Sequence, residues 1–386
     1  MEGELPVSLW LFDKAYQRKG LIPAPDAVEW TGLWDAGGSL VFTVLADNPR
    51  IGALTTPGAR VVATLRRPGF AGPKTLTSGP VTELRGTGLT NLPVRVFTVA
   101  DDHDIFGEIT GWPKPAAAIT AQTDEYHVVT GPAETVVRTL VSANAPRQGV
   151  AVSVAATAGL GPTTTVRVRM HPLADHLFPK MATLGLGVRV VQEPDETVRR
   201  LLTWIPTTHT RVLTQESGII LPGAEFVVRA PTATRVVVAA GGEGAARVFR
   251  EYVDTAAEAK WGVSRSIAVD ARDVATTDPN LNTLLQGRAD EALAENAEKT
   301  SLKVELTETD KWQYGVAFEL GDKVPIRLAS QDTVTDRINE VSLSWAAGTG
   351  LEINPRVGGW EESPSDRLYR LVAKALKTGR NLEVTR

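Results

Sequence analysis

No cysteine occurs among the 386 residues. Disulfides, cysteine nucleophiles and thiolate metal centres are excluded together, a composition that fits a cytosolic origin. A basic excess is missing too: 41 Lys and Arg stand against 45 Asp and Glu, for a net charge of −4. Proteins that grip nucleic acid through its phosphates show the opposite balance. No stretch is long and apolar enough to span a bilayer, so stable membrane insertion is not expected. The opening residues MEGELPVSLWLF lack the basic start and cleavage site of a secretory leader. Among motifs, G-x-S-x-G, the Walker loop and H-E-x-x-H are all missing.

What is present is ordinary for a folded chain: 42% apolar and 22% charged residues. The length suits two to four domains. Frequent Val, Thr, Gly and Pro favour short strands and many turns. The most organised stretch is 310–328, DKWQYGVAFELGDKVPIRL. Trp312, Tyr314 and Val316 share one parity, as do Val324, Ile326 and Leu328, which predicts two strands with one buried face. Gly321-Asp322 between them predicts a turn, because Gly permits a positive φ and Asp bonds its own backbone.

Along the chain, Leu40, Phe42 and Val44 alternate with Val41, Thr43 and Leu45, so apolar groups occupy both faces of a predicted strand. Such a strand wants a neighbour on each side. Val61, Ala63 and Leu65 predict another strand, with Arg66 and Arg67 reaching solvent, and VRVFTVA at 94–100 a third; LTSGPVTELRGTG reads as strand ends around a turn. A helix is predicted from Gly131 as N-cap, Pro132 as N1 and Glu134 as N3, with Val136, Val137, Leu140 and Val141 inward. A second is predicted over 195–204. The strongest begins at Asp278-Pro279 and runs to 297, with Leu281, Leu284, Leu285, Ala289, Ala292 and Asn296 on one face. Strands follow over 299–306 and 337–345, the latter turning Ile338, Val341, Leu343 and Trp345 inward past a bulge at 339–340. Over 361–386, Arg367, Arg370, Lys374 and Lys377 line one side of a predicted helix opposite Leu368, Leu371 and Val372, a docked protein-contact helix. These shifts divide the chain into 1–110, 111–225, 226–298, 299–360 and 361–386.

Chemistry-bearing clusters are sparse. His171 and His176 lie in HPLADH, read as an exposed loop, and His103 in ADDHD reads as a solvated hairpin tip rather than a cation site. His127 and His209 stand alone. Glu83, Glu108, Glu216 and Glu305 are formal candidates for a glycosidase pair, with nothing to single them out. The nine tryptophans read as core and interface anchors before sugar platforms. No catalytic, metal or cofactor residues are assigned. Leu40, Phe42, Val44, Trp312, Tyr314, Gly321, Asp322 and Trp345 are assigned as structural or interface residues.

In their order, LTTPGAR at 54–60, GPAETVVRTL at 131–140, VRAPTATRVVV at 228–238, FELGDKV at 318–324 and NPRVG at 354–358 make the chain resemble the Gp37-like tail proteins. These belong to long-tailed phages of actinobacteria and Gram-positive hosts, and are similar to baseplate hub proteins. The resemblance implies a multi-domain fold, mainly β with smaller α+β parts and two tail-tube-like β-barrel domains. It implies a homotrimeric ring at the tail tip of a virion. Implied partners are the distal-tail or tail-tube protein above, the tape-measure protein inside and tip or fibre proteins below, with DNA passing through unbound. It implies no cofactor and no enzymatic activity. A cell-wall hydrolase and a carbohydrate-binding receptor protein are the alternatives from other classes.

Overall fold

The computed structural model describes residues 5–34, 36–86, 94–242, 244–328 and 332–358. The chain divides into two compact units, Met1–Ala224 with Val304–Gly358, and Glu225–Lys303 with Gly359–Arg386. The basic helix expected over 361–386 lies outside the described residues.

The first unit begins with strands β1 (Val7–Phe12), β2 (Arg18–Leu21), β3 (Ala27–Leu33) and β4 (Ser39–Leu45), a short helix α1 (Ile51–Leu54), then β5 (Arg60–Leu65), β6 (Lys74–Arg85) and β7 (Val94–Ala100). They pair antiparallel in the order β2-β1-β5-β6-β7-β4-β3. The segment expected to be strand ends around a turn is one twelve-residue strand, β6. Its first part pairs with β5 and its last with β7. Gly79 forms the corner: a Cβ there would fall 1.7 Å from the Ala100 carbonyl oxygen, so no side chain fits. All six residues of β5 are buried, because both of its faces are covered.

Next come α2 (Ile105–Glu108), β8 (Thr110–Gly111), β9 (His127–Pro132), α3 (Ala133–Asn144), β10 (Val152–Val154), β11 (Thr163–Val168), β12 (His171–Pro172), α4 (Leu173–Leu184), β13 (Gly187–Val191) and β14 (Arg199–Trp204). Helix α3 buries the predicted stripe of Val136, Val137, Leu140 and Val141. It starts one turn position later than expected, with Pro132 as N-cap. The helix expected over 195–204 is instead strand β14, held parallel to β10 and antiparallel to β13. Pairing on both edges outweighs the weak helical preference of RRLLTW. Helix α4 has no counterpart in the sequence reading. Pro179 inside it argues against a helix, although Gly185, at φ 71°, supplies a left-handed stop. α3, α4 and β13 enclose one core that includes Leu140, Leu177, Met181 and Val190.

In the second unit, β15 (Glu225–Arg229), β16 (Arg235–Ala240), β17 (Phe249–Val253), α5 (Thr255–Trp261), β18 (Ser266–Ala271), α6 (Leu281–Asn296) and β19 (Lys299–Glu305) follow in order. β16 lies between β17 and β18, and Leu285 and Ala289 of α6 pack on it with Val236 and Val238. α6 starts two residues after the predicted N1. Asp278 holds a turn by accepting from the Asn280 N–H at 2.7 Å, and Leu284 faces solvent instead of the core.

The chain re-enters the first unit through Val304 and Glu305, then β20 (Lys323–Arg327), β21 (Thr333–Ala346) and β22 (Gly350–Val357). β21 pairs with β20 at its start and with β22 and β3 beyond. The register breaks between Ile338 and Glu340, where the bulge was expected. Beyond it Val341, Leu343 and Trp345 turn inward. One row across the sheet, Trp345–Val28–Phe42–Phe97, is buried throughout. Phe42 and Phe97 stack at 5.3 Å. The first strand expected in 310–328 does not form. Residues 309–318 are a turn-rich loop held by isolated bridges, with Trp312 and Tyr314 buried and Val316 exposed. The architecture is mixed α/β and rich in β-sheet. Among the described residues the pairing runs as an open path, and neither expected barrel closes. The two long strands, β6 and β21, each pair with one neighbour along their first part and with another beyond it.

Glu134 at the start of α3 is buried and accepts from the N–H groups of Ala158 and Leu160, Thr203 Oγ1, Thr157 Oγ1 and Arg138 Nε. Burial alone would raise its pKa, but these donors together hold the carboxyl down, to about 2 from 4.5. The unfolded chain therefore takes up the proton first as pH falls. The stabilisation is complete above about pH 4.5 and is lost as pH drops toward 2. Glu134→Gln is expected to flatten that acid limb of a denaturant-midpoint profile while lowering stability at pH 7.

Candidate functional site

Two buried clusters organise the first unit. In the first, a 3-10 turn at Asp102–Asp104 follows β7 and delivers two acids inward. Arg60 Nη2 on β5 donates to both Asp102 oxygens, at 2.7 and 2.5 Å. Ser78 Oγ donates to the same carboxylate at 2.5 Å, and Arg199 Nη1 reaches it at 3.4 Å. Ser78 Oγ in turn accepts from the Gln192 N–H at 2.7 Å. Asp101 accepts from the N–H groups of His103 and Gly38, and Arg189 lies 3.5 Å from it. The β1–β2 turn adds Tyr16, whose ring lies 4.4 Å from the Arg60 guanidinium. Tyr16 adopts φ 60°, a conformation that side-chain-bearing residues seldom hold without compensation.

His103 is therefore not at a solvated hairpin tip. It is 3% exposed and stacks on Phe178 at 4.7 Å. Neither ring nitrogen has a hydrogen-bond partner among the described residues. Burial pushes its pKa down, to about 4, against the pull of Asp101. The imidazole is a neutral packing group at pH 7. The stretch looked like a hydrated loop because the arginines that pair with Asp101 and Asp102 lie far away in sequence, while Asp104 alone of the three acids is exposed.

The second cluster gathers on the 309–322 segment. Trp312 stacks on Phe318 at 5.0 Å, and Tyr314 lies 5.9 Å from both Phe318 and Trp30. Burial raises the Tyr314 hydroxyl well above its usual range. Arg67 does not reach solvent as expected. It grips Glu308 with two parallel bonds at 2.7 and 2.8 Å, and Glu308 also accepts from the Tyr314 N–H. Gly321 has φ 93°, and Asp322 accepts from the Glu319 N–H at 3.0 Å, so the predicted turn chemistry is present. Asp322 also takes the Thr207 N–H and lies 2.9 Å from His209 Nε2.

Of the assigned residues, the structure brings Trp312, Tyr314, Gly321 and Asp322 into this cluster. Leu40, Phe42, Val44 and Trp345 lie on the buried face of the sheet. Glu83, Glu108, Glu216 and Glu305 occupy separate elements; Glu83 pairs with Arg85 and Glu305 with Arg356. His171 and His176 approach edge to face at 5.7 Å, with His176 in helix α4 rather than a loop. Among the described residues no group of three or more His, Asp or Glu is placed to hold a metal ion. The carboxylates and cations of both clusters face one another, an arrangement that joins strands.

A Cβ at position 321 would fall 1.9 Å from the Trp34 ring, at a backbone angle suited to glycine. Gly321→Ala is expected to lower stability by about 2 kcal/mol or more in chemical denaturation. Asp102→Asn leaves Arg60 and Arg199 without their counter-charge and is expected to cost about 3–5 kcal/mol by the same measurement.

Similar folds occur in tail proteins of known structure. The 43 kDa tail protein of prophage MuSo2 from Shewanella oneidensis is 12% identical, with 91% of this chain and 98% of that one covered at a TM-score of 0.53. The prophage tail protein gp18 from Listeria monocytogenes EGD-e is 11% identical, with 96% and 99% covered at 0.53. The tail protein from Neisseria meningitidis MC58 is 11% identical, with 92% and 96% covered at 0.51. At these identities the likeness is one of fold. No curated protein sequence matches the chain. The model of the family described as Siphovirus ReqiPepy6 Gp37-like protein matches residues 8–359, and the chain belongs to that family.

Proposed function

We propose that the chain is a structural minor tail protein forming a trimeric hub at the distal end of a phage tail tube. The observation that carries this reading is likeness of fold over 91%, 96% and 92% of the chain to three proteins described as tail proteins, joined to membership of a siphovirus family. The hub sits at the tail tip or baseplate of the virion. It joins the tube or distal-tail protein above to tip or fibre proteins below, with the tape-measure protein in its axial channel. The role is not enzymatic.

The sheet supplies a physical reason for assembly. Its inner face is closed by Leu40, Phe42, Val44 and Trp345. On the outer face Val41, Thr43, Val94 and Val96 are half-buried, and Leu45 is 50% exposed. β-branched residues on an uncovered sheet face complete their burial against another surface, and obligate interfaces are large and apolar. A mildly acidic chain, at −4, lets DNA pass without the counterion release that would hold it.

Imaging of intact particles is expected to find three copies around an axial channel at the tail tip. A single copy, or a position along the tail shaft, contradicts the hub. Leu45→Glu is expected to leave the melting temperature of the isolated chain unchanged. Incorporation into purified tails should fall about tenfold or more, measured by quantitative mass spectrometry.

A further inference from the structure

We propose that the cavity between the β1–β2 hairpin and α1 is a binding site for an amphipathic anion, a single apolar chain ending in one carboxylate-like head. The cavity encloses about 620 Å³, within the range of small-ligand sites. Its floor is apolar: Leu11, Phe12 and Ala59 are each at most 3% exposed. Its rim carries three cations, Lys14, Lys19 and Arg50.

Among the described residues only Lys19 of these three cations is neutralised. Lys19 pairs with Asp13 at 2.8 Å, and the other oxygen of Asp13 is taken by the N–H groups of Ala15 and Gln17. Arg50 is oriented by its Nε, which donates to the Leu21 carbonyl at 3.2 Å. Among the described residues its Nη groups have no hydrogen-bond acceptor, and Lys14 has no carboxylate. The Lys14 stem lies over Gly58, where a Cβ would fall 2.7 Å from its own Cβ, so the turn holds the lysine at the rim. Two unpaired cations above an apolar floor, on a chain of net charge −4, favour a ligand with an anionic head and an apolar body. A second cavity of about 430 Å³, beside Lys74 and Arg189, lacks this property. There Lys74 meets Glu319, Thr75 meets Glu193, and Arg189 donates to the Leu76 carbonyl.

The test is calorimetric titration of the full chain with decanoate, decanol and decyltrimethylammonium, each kept monomeric. Decanoate is expected to bind saturably at one site, decanol about tenfold more weakly, and the cation not at all. Lys14→Glu is expected to weaken decanoate about tenfold without moving decanol. Ala53→Trp, on the exposed wall of α1, is expected to abolish both by filling the cavity. Circular dichroism and the melting temperature check that both variants fold. Equal binding of decanoate and decanol, the absence of saturable decanoate binding, or decanoate affinity unchanged in folded Ala53→Trp would each overturn the proposal.

Discussion

The Asp102 carboxylate is the constraint on which much of the first unit depends. It is buried and accepts from Arg60, Ser78 and Arg199, which belong to β5, β6 and β14. An ionised group in that position is tolerable only when every oxygen is occupied by a charged or polar donor. The surrounding backbone is arranged to meet this demand. The 3-10 turn after β7 aims the acid inward, the Gly79 corner lets β6 pass against the end of β7, and Tyr16 takes a strained φ to stack on Arg60. The gain is geometric specificity, since the guanidinium groups accept one orientation of their partner.

The Glu134 and Asp322 carboxylates repeat this solution. Each is buried and accepts backbone N–H groups from a distant segment, Ala158 and Leu160 for Glu134 and Thr207 for Asp322. A loop that cannot satisfy its amides by strand pairing is thus fastened by one acid. Among the described residues the buried carboxylates Asp101, Asp102, Glu134 and Asp322 are all occupied by donors. This use of buried charge agrees with the structural role proposed for the chain.

Local pattern in the sequence was most legible where burial was one-sided. The bulge at 339–340 and the inward set Ile338, Val341, Leu343 and Trp345 follow from parity alone, because a strand has only two faces. The α3 stripe and the Gly321-Asp322 turn were legible for similar reasons: helical period and φ preference act within a few residues. Misreadings occurred where distant partners decide. Residues 199–204 carry a helical pattern but have strands waiting on both edges. Trp312 and Tyr314 alternate like a strand, yet they are packed by Trp30 and Phe318 without a ladder. His103 looked hydrated because Arg60, Arg189 and Arg199 are far from ADDHD in the chain.

By itself the sequence determined the β-rich class, the exclusion of thiol chemistry, the inward faces of a few strands such as 337–345 and, through ordered motifs, the family. Those properties rest on composition, on period and on turn preferences, all of which are local. Only the tertiary structure decided that, among the described residues, the sheet runs as an open path, buried acids bind arginines across long separations, and two cations without a carboxylate partner stand over an apolar cavity. Each of these depends on which segments meet, and pairing between distant residues leaves no mark on the residues taken one stretch at a time.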